Sequence, residues 1–151
     1  MKFKIFLIYI LIVLFSFIFT SGPSAGNGRI TNVDDDGNMG NIIVEVRGSG
    51  TLWVGCTIYP NGRGKYYKDL EAKKVKGGGK VSFNVLPHMS YSRGSTSLEY
   101  VVALWEGKIS LRKCEKKYGK NSDECISARR NGYQMEGRLD RREGTYKAGF
   151  D

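Results

Sequence analysis

Proline and histidine are scarce in this chain: three prolines and one histidine among 151 residues. So little proline excludes a proline-rich stalk, and the chain shows neither the Gly-X-Y period of collagen nor the sustained heptads of a coiled coil. With His88 alone, directly after Pro87 in an expected loop, a catalytic triad has a single base to build on. No G-x-S-x-G elbow is present, and Ser110-Leu-Arg-Lys113 matches S-x-x-K without a K-T-G partner. Glu99, Glu106, Glu136 and Asp140 are the carboxylates available for glycoside chemistry, no more than any small protein offers. These gaps predict a protein that is not an enzyme and uses no cofactor.

Metal ligands are equally thin. Cys56, Cys114, Cys125 and His88 fit no zinc spacing. Asp34-x-Asp36-x-Asn38 with Glu45 at the twelfth position imitates a calcium loop, but Met39 stands where the loop requires glycine, so the stretch reads as a solvated acidic linker.

What is present begins at the amino end. Lys2 and Lys4 precede an apolar run from Ile5 to Phe19, and small residues follow from Thr20 to Ala25. This is the order of a signal peptide, with Ser24 or Ala25 as the last residue removed. The run is also close to the roughly 17 residues that span a bilayer, so an uncleaved anchor is the alternative, and only that segment would meet a membrane. The expected location is secreted, periplasmic or at the cell surface. Removing residues 1–25 takes away Lys2 and Lys4 and lowers the formal charge from +9 to +7.

Cys114 and Cys125 flank the polar, turn-prone KKYGKNSDE, whereas Cys56 lies within the apolar alternation Leu52, Val54, Cys56, Ile58. The expectation is a Cys114–Cys125 disulfide, worth roughly 3 kcal/mol for a loop of this size, and a buried Cys56 acting as a small hydrophobe.

Along the mature chain, residues 26–40 read as a flexible lead. Strands are expected around Ile42–Arg47, Thr51–Tyr59, Lys80–Leu86 and Leu98–Trp105, with 65–75 as an ambiguous strand or charged edge. Gly48-Ser-Gly50, Pro60-Asn-Gly-Arg-Gly64 and Gly77-Gly-Gly79 read as turns between them. Residues 107–134 change to helical spacing, with Asn121-Ser-Asp-Glu124 resembling a capping box and Gly132 a helix stop. Alternation returns over 135–150 as two short strands about Arg142-Glu-Gly144. Recurrent turns without βαβ spacing predict an antiparallel sandwich or barrel with a disulfide-tied helical insert at 107–134.

The run LWVGCTIYPNGRGKYYKDL, followed by KVSFNVLP, LEYVVALWE and GRLDRREGTYKAGF, resembles the secreted bacterial and archaeal immunoglobulin-like modules related to the CARDB group. The likeness covers residues 41–106 and 135–151. It implies a mainly β, seven-strand immunoglobulin-like β-sandwich over 41–151, in an adhesion or accessory role without catalytic residues.

Two features suggest what such a domain binds. With Leu52, Val54, Cys56 and Ile58 facing the core, Trp53 and Tyr59 face the other side across Gly55 and Thr57, with Tyr66 and Tyr67 nearby. Aromatics on a flat sheet stack on sugar rings. Residues 108–151 hold twelve Lys and Arg against seven acids, including Arg129, Arg130, Arg141 and Arg142, a field that favours polyanions. No nucleic-acid motif accompanies it. The expected function is therefore an exported binding or structural module for envelope polysaccharide or an acidic polymer. The alternative is a secreted inhibitor or effector that grips a protein partner through the 107–134 insert.

Overall fold

The computed structural model describes residues 27–36, 39–60, 67–89 and 96–148. The signal segment, Tyr66 and most of the Pro60–Gly64 turn lie outside the described residues. Five antiparallel strands, β1 (Gly28–Asp35), β2 (Asn41–Tyr59), β3 (Lys68–Asn84), β4 (Thr96–Ser110) and β5 (Tyr133–Ala148), form one sheet. β2 is its spine. β3 pairs with β2 from Asn41↔Asn84 to Ile58↔Lys68, while the opposite edge of β2 is shared, first by β1 and then by β4. β5 pairs with the far edge of β4.

Alternation explains the strands. Ile42, Val44, Val46, Leu52, Val54, Cys56 and Ile58 are all buried, and their even parity continues unbroken across Gly48-Ser-Gly50. Those glycines are therefore a bend inside one long strand and not a turn between two. There the register steps from Arg47↔Gly78 to Thr51↔Lys76, and the opposing Gly77-Gly-Gly79, all at positive φ, is likewise a bend within β3. Gly144 also lies inside the continuous β5, so the expected short hairpin there is a single strand.

Bent at these points, the sheet curls into a half-barrel and closes on the face that carries the even-numbered positions of β2. Gly28 meets the opposite half so closely that a Cβ there would lie 2.9 Å from Leu104 and Leu139 side chains. The Ile30 amide donates to the Asp140 carboxylate at 2.8 Å, joining β1 to β5 through a side chain. The resemblance implies seven strands in two sheets; the described residues form five longer strands in one.

Two further expectations change. The lead at 26–40 contains β1, because its backbone pairs with β2 and Ile30 enters the core. Its acidic end closes the hairpin: Asp36 accepts from the Asn41 amide at 2.8 Å and from the Asn41 side chain at 2.7 Å. The insert is also shorter than 107–134, since Gly107–Ser110 and Tyr133–Glu136 are paired arms of β4 and β5. Between the arms lie α1 (Leu111–Tyr118), a 3-10 turn (Asp123–Cys125) and α2 (Ile126–Asn131), which Gly132 ends in the left-handed conformation. Ser110 caps α1 by accepting from the Lys113 amide, whereas the 3-10 turn begins after Ser122, one residue past the Asn121 expected as its cap, and Ser122 makes no side-chain cap bond.

The disulfide joins Cys114 to Cys125, and Cys56 is a buried free thiol. Around the disulfide, Ala128, Ile109 and Leu111 make a small core separate from that of the sheet.

Candidate functional site

The outer, odd-numbered face of β2 carries Trp53, Gly55, Thr57 and Tyr59, beside Trp105, Ala103 and Val101 of β4. Between the two ends of this face the side chains are small, which leaves a flat floor of Gly55, Thr57, Val101 and Ala103. Tyr133 and α2 lean over that floor and enclose a cavity of about 210 Å³. Trp105 and Tyr133 supply its aromatic walls, Asn131 and Gln134 its polar ones, and Arg138 and Arg141 stand on the β5 side.

Each end of the cavity is held by a cation and aromatic rings. At one end Asp69 of β3 accepts from Thr57 at 2.7 Å, from Arg130 at 2.8 Å and from Asn131 at 3.0 Å. Arg130 also donates to the Tyr67 hydroxyl and lies 4.6 Å from that ring's centre, while Tyr67 packs on Tyr59 at 6.2 Å. This cluster latches the end of α2 to the sheet. At the other end the Lys108 ammonium sits 4.8 Å from the Trp53 ring centre and 4.1 Å from that of Tyr133. The Tyr133 hydroxyl accepts from the Ala72 amide at 3.2 Å and so ties the first residue of β5 to β3.

Of the ligand-binding candidates singled out by sequence that lie among the described residues, Arg141 lines the cavity. Trp53, Tyr59, Tyr67 and Arg130 frame it, with their ring faces or charge engaged by neighbours in the same chain, so Trp53 and Tyr59 do not form one open stacking platform. Arg129 turns away to donate to the backbone carbonyls of Ser122 and Lys120, closing the insert's loop. Arg142 faces the opposite way from Arg141 and pairs with Asp140 at 3.8 Å. Adjacent residues of a strand alternate faces, which separates Arg141 from Arg142, and in the helix Arg129 and Arg130 engage different partners, so the arginine pairs do not act as pairs.

Asp69, Trp105, Asn131, Tyr133 and Arg138 are the site residues that sequence reasoning missed. Trp105 had a signal: it is the register partner of Trp53, within a run that reads as apolar on both faces. Arg138 has no ion-pair partner among the described residues.

Of the remaining reactive groups, Cys56 borders the cavity floor and His88 lies away from it. His88 is in a 3-10 turn at Leu86–His88, where burial and then the Lys68 charge hold its imidazole below the usual value, so it is neutral at pH 7. Burial, reinforced by Asp69, pushes the Cys56 thiol up to about 12, which keeps it protonated and unreactive. No three His, Cys, Asp or Glu groups among the described residues are placed to hold a metal.

Comparison with protein families, with curated proteins and with solved structures finds no match.

Proposed function

We propose that this protein is an exported, non-enzymatic binding module of the cell envelope, and that the cavity between its sheet and α2 takes one ring of an acidic sugar. The carrying observation is the cavity itself, with Trp105 and Tyr133 as walls and Arg138, which has no ion-pair partner among the described residues, near Arg141, which pairs with Glu143 at 3.3 Å. Aromatic walls suit the apolar face of a sugar, amide groups suit its hydroxyls, and a guanidinium suits a carboxylate. At about 210 Å³ the space is below the roughly 300–1,000 Å³ of sites that enclose drug-sized ligands, which favours a single ring over an extended segment. The disulfide supports the exported location, and no helix among the described residues is long and apolar enough to cross a membrane.

Calorimetric titration with galacturonate, glucuronate and mannuronate against the matching neutral sugars tests this reading. At least one uronate is expected to bind, and Trp105→Ala or Arg138→Ala to weaken it about tenfold or more, the scale of a lost charged hydrogen bond. Binding of none of the uronates, or equal affinity in both variants, overturns it.

A further inference from the structure

A second feature lies on the same outer face, beyond Trp53. Arg29 of β1 stands directly opposite Arg47 of β2. Like charges in that position repel and weaken a strand pair. On its other side Arg47 faces Gly78, whose missing side chain leaves the guanidinium uncovered. The next outward positions of β3 are Lys76, opposite Thr51, and Lys74, opposite Trp53. Lys108 then continues the line over the Trp53 ring to Tyr133, a wall of the cavity.

Arg29, Arg47, Lys74 and Lys76 are exposed, and none of them pairs with a carboxylate among the described residues. The nearest acid along β2 on this face, Glu45, is engaged by Lys80. Lys74 and Lys76 are alternate positions of β3, about 6.6 Å apart, and Arg47 and Arg29 follow beyond the bend as cross-strand neighbours, so the cations form a file that crosses three strands. Protection of an open edge by lysine accounts for Lys74 and Lys76 on β3 but not for Arg47, which lies on the central strand.

We infer that this file is a track for a linear acidic polysaccharide, one of whose sugars occupies the cavity while the chain runs past Lys108 along Lys74, Lys76, Arg47 and Arg29. A polyanion relieves the Arg29–Arg47 repulsion. A single-file track leading to a one-ring cavity fits a chain of sugars, and a duplex nucleic acid would need a broader basic surface. The inference rests on the sugar-binding reading of the cavity, and the monosaccharide titration above judges that reading separately.

The test is retention of polygalacturonate, hyaluronate and alginate by the immobilised full-length protein at low ionic strength. The comparison is with the variant Arg29→Gln, Arg47→Gln, Lys74→Gln, Lys76→Gln, whose folding is checked by thermal melting. Wild type is expected to bind at least one polymer about tenfold more tightly than the variant and with a steeper salt dependence, while uronate monomers bind both proteins alike. Lys74→Arg with Lys76→Arg should keep polymer affinity. The track is overturned if no polymer is retained, if the four substitutions leave polymer affinity unchanged, or if polyglutamate or duplex DNA displaces every polymer at equal charge concentration.

Discussion

At Gly40 the chain leaves the hairpin of β1 for β2 with φ of +71°, and a Cβ there would fall 1.9 Å from Cγ of Leu86. The Gly40 carbonyl also accepts from the Val85 amide at 2.7 Å, so the backbone cannot move away without losing that bond. Gly40→Ala therefore combines a left-handed backbone with overpacking and should cost roughly 2–4 kcal/mol, read as a lower midpoint in urea. An unchanged midpoint would contradict the close approach. At this scale much was legible: the even-numbered core of β2 and the sites of Cys56, Cys114 and Cys125 follow from alternation and spacing. What could not be read was which atoms meet across the fold. Asp69 looks like any acid in a lysine-rich segment until Thr57, Arg130 and Asn131 converge on it from two other elements.

Among the elements, the insert depends least on the sheet's core. Its own core is little more than the disulfide, Ala128, Ile109 and Leu111, too small to hold α1 and α2 without the cross-link. Replacing both Cys114 and Cys125 by Ala removes about 3 kcal/mol of loop constraint. Hydrogen exchange over 111–131 should then accelerate strongly while β2 and β4 stay protected, and uronate affinity should fall because α2 is a wall of the cavity. Uniform acceleration through the whole protein would show that the insert is not a separate unit.

A second tie is electrostatic. The Lys117 ammonium, bonded to Glu136 at 2.8 Å, holds the Glu136 carboxyl below the usual range, partial burial opposes this, and the Tyr118 hydroxyl at 2.9 Å adds to it. A depressed carboxyl stabilises docking fully above its unfolded value of about 4.3 and less as pH falls through the lower folded value. Acidification should therefore loosen α1, seen as a shift of the Tyr118 ring resonances, and Glu136→Gln should remove that pH dependence. The helices themselves were legible from the change of periodicity. Their limits were not, because Gly107–Ser110 and Tyr133–Glu136 pair as strand arms despite their irregular pattern.

In the whole molecule, glycine was the misleading signal. Gly48-Ser-Gly50 and Gly77-Gly-Gly79 have the composition of turns, yet the chain continues straight through both and bends the sheet instead. The same chemistry permits either outcome, and only the conserved parity of buried positions on both sides distinguishes them. Charge was also misjudged at this scale. The excess behind Trp105 is divided between the two faces of β5 and the insert's loop, whereas the exposed cations around the bend come from three separate stretches that the sequence keeps apart.

The bend has one more consequence. Even positions of β2 face the core and odd positions face the cavity and the basic file, while the cavity's roof hangs on a separate, disulfide-held excursion between β4 and β5. Residues that maintain the fold and residues of the proposed binding surface thus occupy different positions of the same strand. On the proposed reading, substitutions in the roof and at the odd positions would alter what the surface recognises while the even positions keep the fold.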